Sequence, residues 1–88
     1  MRVRLFGVEG ETTRVAHENL LAALRKVGVS ADIESVDKID EITMFGVLET
    51  PAVMVGERMV CEGKIPTVEE LAVWLLRALE ANQFVSVH

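Results

Sequence analysis

The chain has 88 residues, half of them hydrophobic, with a formal charge of −5, a pI near 4.9 and a mean hydropathy of +0.31. That length supports one domain with a single core, and the surplus of apolar residues implies some left on the surface for a partner. The acidic balance argues against nucleic acid or anionic membrane as the main partner, and no stretch approaches the roughly 20 apolar residues of a membrane span.

Arg2 to Phe6 places Val3, Leu5 and Phe6 against Arg2 and Arg4, which reads as a strand with one packed face and one wet or edge face. Those two arginines are the nearest thing to a basic patch. Gly7 closes the strand, and from about Glu11 the apolar residues Ala16, Leu20, Ala23, Leu24 and Val27 recur at three- and four-residue steps. This predicts a helix that stops at Gly28, with Arg25 and Lys26 complementing the negative end of its dipole. Val29 to Val36 alternates again and predicts a second strand with an acidic face from Asp32 and Glu34. Asp37 is then expected to cap a short helix over Lys38 to Phe45, with Ile39, Ile42 and either Thr43 or Phe45 turned inward.

Thr50-Pro51 opens the apolar run Ala52-Val53-Met54-Val55, a buried strand that tolerates proline because its first residue needs no N–H. The tertiary amide at Pro51 also permits a cis bond. Gly56-Glu57 makes a tight turn into Arg58 to Glu62, giving an antiparallel hairpin. Gly63-Lys64-Ile65-Pro66 leads to Thr67-Val68-Glu69-Glu70, a capping box that starts the last helix. This helix is expected through Leu79, apolar around more of its girth than one sheet face needs. A tail with Phe84, Val85 and Val87 is expected beyond Asn82. The order β-α-β-α-β-β-α predicts an α/β domain with a four-stranded mixed sheet between helices, the thioredoxin-like arrangement.

The chain resembles the small archaeal and bacterial redox-active disulfide proteins, a glutaredoxin-sized branch of the thioredoxin superfamily. The likeness spans Met1 to about Leu79 and rests on a strand ending in Gly7, Glu18-Asn19, Phe45-Gly46-Val47, Thr50-Pro51-Ala52, the hairpin and Gly63-Lys64-Ile65-Pro66-Thr67. It implies a thiol-disulfide oxidoreductase ancestry, with a C-x-x-C pair at the start of the first helix and a cis-proline after the threonine beside it. Here Gly10 and Thr13 stand where those two cysteines would be, and glycine offers no thiolate to attack a disulfide.

Gly10 and Thr13 have two readings: a permissive turn with Thr12 or Thr13 as helix cap, or a non-redox pocket whose N–H groups bind an anion or a partner carboxylate, against which the carboxylates of Glu9 and Glu11 count. Cys61, the single cysteine, permits no internal disulfide and reads either as a small buried hydrophobe or as a lone functional thiol. His17 has no ligand-forming neighbours at metal spacing, so neither a metal nor a cofactor is called for. Trp74 and the broad apolar face of the last helix read as core or as a self-association surface.

The expected function is a cytosolic, redox-inactive binding module that takes a protein or extended peptide at Gly10, Thr13, Thr50, Pro51 and Gly63, and that self-associates. The alternative is an oxidoreductase homologue acting through Cys61 alone.

Overall fold

Alternating side chains fix which way each strand faces. β1 (Arg2–Phe6) turns Val3 and Leu5 to one side and Arg4 and Phe6 to the other, and it pairs with both neighbours. The computed structural model describes the backbone of residues 1–87 and the side chains of residues 1–81. β2 (Asp32–Val36) runs parallel to β1, matching Val3 with Ile33 and Phe6 with Val36. β3 (Ala52–Val55) runs antiparallel on the other side, matching Leu5 with Val53 and Phe6 with Ala52. β4 (Arg58–Glu62) completes the order β2-β1-β3-β4, with a bulge opposite Val53 and Met54. The α/β sandwich with a four-stranded mixed sheet is the thioredoxin-like fold expected from the order of elements.

Two helices cover the face carrying Val3, Leu5, Val53 and Val55. α1 (Glu11–Val27) buries Ala16, Leu20, Ala23 and Leu24 there, and α3 (Val68–Val87) buries Leu71, Ala72 and Leu75. Leu20, Leu71 and Leu75 lose essentially all contact with water, each stabilising the fold by about 1.5–3 kcal/mol. Asn19 Nδ2 donates to the Pro66 carbonyl at 2.9 Å, which ties α1 to the approach to α3. α1 ends as predicted, with Gly28 in the left-handed region (φ 79°) and its N–H on the Leu24 carbonyl.

The other face holds Phe6, Val36, Ala52 and Met54 under the short α2 (Ile39–Met44), of which Ile42 is the buried residue. Phe45 lays its ring against Phe6 at 5.2 Å, edge to face, and the Arg4 guanidinium sits 4.9 Å above the Phe45 centroid while its Nε donates to Glu34 at 2.8 Å.

Four local expectations need correction. β2 begins at Asp32 rather than Val29, because the Val29 N–H is bound to the Leu24 carbonyl at the helix end. Lys38, not Asp37, occupies the N-cap of α2, without a side-chain hydrogen bond. Ile39 is 71% exposed instead of inward, since so short a helix lays only one turn on the sheet. α3 continues to Val87, past Asn82, and the side chains of the tail expected at 83–88 lie outside those described.

Candidate functional site

The chain leaves β1 through Gly7, whose N–H extends the ladder to the Val36 carbonyl at 3.1 Å. A Cβ on Gly7 would meet Thr13 Oγ1 at 2.5 Å and Cγ2 at 3.2 Å, so only glycine lets the strand pass under the helix start. Thr13 Oγ1 donates to the Val8 carbonyl at 2.7 Å. This bond folds the Val8–Gly10 segment back against the first turn of α1. It also corrects the capping expectation: Thr13 holds a carbonyl upstream of the helix, while Gly10 is the N-cap, extended and without any side-chain cap.

Across from this turn lies Thr50-Pro51, joined by a cis peptide bond. Pro51 is buried, and its carbonyl accepts the Gly63 N–H at 2.9 Å, prolonging the β3–β4 pairing past Glu62. Glu62 braces the loop from the same strand end, its Oε2 accepting the Leu48 N–H at 2.6 Å and the Glu49 N–H at 3.3 Å. A pocket of about 250 Å³ results, with Val8, Glu9, Gly10, Glu11, Thr12 and Thr13 on one side and Thr50 and Pro51 on the other.

Four of the five residues expected at the site therefore line one pocket. Gly63 does not line it; it stands behind Pro51 and holds that residue's carbonyl. Cys61 is absent from the lining as well. It faces the α1/α3 side of the sheet, half-buried against the main core, with Sγ donating to the Lys64 carbonyl at 3.5 Å. Burial pushes its thiol up from the ordinary value, and the Lys64 ammonium only partly opposes this. A thiol kept protonated is a poor nucleophile.

The charge beside the pocket is negative. Arg14 hydrogen-bonds Glu11 and also pairs with Glu18, and the Arg14 guanidinium holds the Glu11 carboxyl below its ordinary value. A carboxylate at the first helical position already satisfies the positive helix end, which disfavours a bound anion there. The pocket can instead offer backbone groups. Thr50 is exposed, and among the described residues its N–H and C=O make no backbone hydrogen bond. No group of three or more His, Cys, Asp or Glu side chains is arranged for a metal among the described residues.

Glu62 was not foreseen as part of the site. Its signal lies in the hairpin register, because pairing Ala52 with Glu62 places that carboxylate next to the residues that precede Pro51.

Residues 1–76 match the family model of the thioredoxin domain. A thioredoxin of Methanocaldococcus jannaschii is 36% identical over 80 residues, covering 91% of this chain and 92% of that protein. A thioredoxin of Methanothermobacter thermautotrophicus is 21% identical over 71 residues, covering 81% of this chain and 92% of its own length. With its order of strands, its Thr50-Pro51 loop and these relatives, the chain belongs to the thioredoxin domain family.

Proposed function

We propose that this protein is a thioredoxin-fold binding module that receives an extended peptide segment of a partner along Thr50-Pro51 and performs no dithiol chemistry. The observation that carries the reading is the composition of the pocket: the positions facing Thr50 and Pro51 are Gly10 and Thr13, and no lining residue contains sulfur. The unpaired backbone groups of Thr50 support recognition by β-augmentation, in which main-chain hydrogen bonds give affinity and neighbouring pockets give selectivity. Glu62 and Gly63 hold that edge in place, so little order has to be acquired on binding.

Self-association through α3 is part of the same reading. Val73 and Leu76, one turn apart, are 45% and 47% exposed, which supports a small apolar contact surface between copies. Light scattering of the wild type beside a Val73→Glu/Leu76→Glu variant tests it; monomers in both samples remove self-association from the proposal. A cytosolic setting accords with the lone free thiol.

The function is tested by insulin reduction with a thioredoxin reductase, run beside amide-shift mapping of unstructured peptides on the labelled protein. The expected result is no turnover, with peptide-induced shifts at Gly10, Thr13 and Thr50 that weaken in Pro51→Ala. Turnover that disappears in Cys61→Ser would establish the single-thiol oxidoreductase instead.

A further inference from the structure

At the opposite end of β3 from the Thr50-Pro51 loop, a second and larger pocket opens between the β3–β4 turn and α3, with a volume of about 380 Å³. Val55 and Val60 contribute apolar lining, and Trp74, half-buried, forms a wall. Two guanidinium groups stand over that indole: Arg77 at 5.1 Å from the ring and Arg58 at 6.0 Å. Arg4, Arg14, Lys26 and Lys64 all have carboxylate partners. Among the described residues Arg58 and Arg77 have none, and neither do Arg2, which lines the same pocket, Arg25 or Lys38, although the chain carries a net charge of −5. Glu57 in the turn also lines the pocket, yet it pairs with neither arginine. The volume falls within the range of small-molecule sites.

We propose that this pocket is a binding site for a small amphipathic anion, whose apolar body lies against Val55, Val60 and Trp74 while its carboxylate or phosphate is held by Arg58 and Arg77. Valine side chains and an indole suit an apolar body, and arginine suits these headgroups because its planar fork can donate two parallel hydrogen bonds. Arg58 comes from β4 and Arg77 from α3, so the two donors approach from different elements. The site is independent of the peptide-binding reading of the Thr50-Pro51 loop.

Trp74 is the chain's single tryptophan, so its indole N–H gives one unambiguous signal in a nitrogen-edited NMR spectrum. The full chain is titrated with naphthyl phosphate, naphthoate and naphthol, which share a body and differ in headgroup. The expected result is that at least one anion shifts the Trp74 indole signal and binds about tenfold or more tighter than naphthol. The stronger of the two anions identifies the headgroup. Arg58→Gln/Arg77→Gln abolishes the preference over naphthol and Arg58→Lys/Arg77→Lys retains part of it, with the amide spectrum reporting that each variant is folded. Pro51→Ala leaves the anion affinity unchanged. Equal binding of naphthol, no binding of either anion, an unaltered preference in the double Gln variant, or shifts centred on Gly10 and Thr50 would each overturn the proposal.

Discussion

Gly63 is held against Glu49: a Cβ built on the glycine would lie 3.2 Å from the Glu49 Cβ and closer still to its carboxylate. The backbone of Gly63 is also left-handed, with φ 83°. Two penalties therefore meet at this residue, one conformational and one steric. Gly28 has nearly the same φ, 79°, and nothing within 4 Å of its Cβ position, so it isolates the conformational part. Gly28→Ala is expected to cost about 1 kcal/mol, and Gly63→Ala about 2 kcal/mol or more, because the Glu49 stem must move. Urea unfolding of both variants measures the difference, and equal costs would mean that the 49–51 loop yields freely.

Besides the Gly63 N–H on the Pro51 carbonyl, that loop is held by Glu62. Its Oε2 accepts two successive backbone N–H groups, from Leu48 and Glu49, and both donors are otherwise exposed. Glu62→Ala is expected to speed hydrogen exchange at the Leu48 and Glu49 amides by about tenfold or more while leaving Leu5 and Val53, deep in the sheet, protected as before. Unchanged exchange at Leu48 would show that the loop is ordered without the carboxylate.

The start of α3 gives the chain an acid-sensitive point. Glu70 receives hydrogen bonds from the Lys64 ammonium at 2.6 Å and from the Thr67 N–H at 3.0 Å, which hold its carboxyl down to about 2 from an ordinary 4.5. A carboxylate with a lowered folded-state value stabilises the protein above about pH 4.5 and loses that contribution as the pH falls toward 2. The Glu70 side chain is 42% exposed and solvent screens the pair, so the effect should shrink in high salt. Glu70→Gln keeps an acceptor for the Thr67 N–H but has no charge to lose. Its urea midpoint is expected to fall less than that of the wild type between pH 5 and pH 2.5. Parallel acid profiles for the two proteins would remove Glu70 from the account.

Much of this architecture is legible from local rules. The spacing of Ala16, Leu20, Ala23 and Leu24, the left-handed Gly28 and the reciprocal bonds between Thr67 and Glu70 all follow from short-range patterns. The composition of the Thr50-Pro51 pocket follows from the order of elements together with the family resemblance. What escaped depends on side chains that meet across the sheet or reach between elements. The Thr13 hydroxyl binds upstream because Gly7 leaves it room, and Glu62 reaches a loop 13 and 14 residues away in the chain. Arg58 and Arg77 converge on Trp74 only after the hairpin and α3 have packed, so periodicity within either element could not pair them.

A dithiol can be installed at positions 10 and 13 to ask whether the rest of the site supports its chemistry. Gly10 is extended and has nothing within 4 Å of its Cβ position, so Gly10→Cys meets no obstacle. Thr13→Cys replaces a hydroxyl that donates to the Val8 carbonyl at 2.7 Å, and losing that bond should cost about 1 kcal/mol. The two positions are the N-cap and third residue of α1, adjacent on one turn and within reach of a disulfide. In a Cys61→Ser background the double cysteine variant is expected to form an internal disulfide and to reduce insulin, where the parent does not. Glu9 and Glu11 as carboxylates oppose the positive helix end and should slow attack by the first thiolate. Adding Glu9→Gln and Glu11→Gln is therefore expected to raise the rate, with the gain measured as alkylation speed at fixed pH. A double variant that stays reduced under mild oxidant, or that oxidises without reducing insulin, would show that the pocket around Thr50-Pro51 does not support dithiol chemistry even with both sulfur atoms in place.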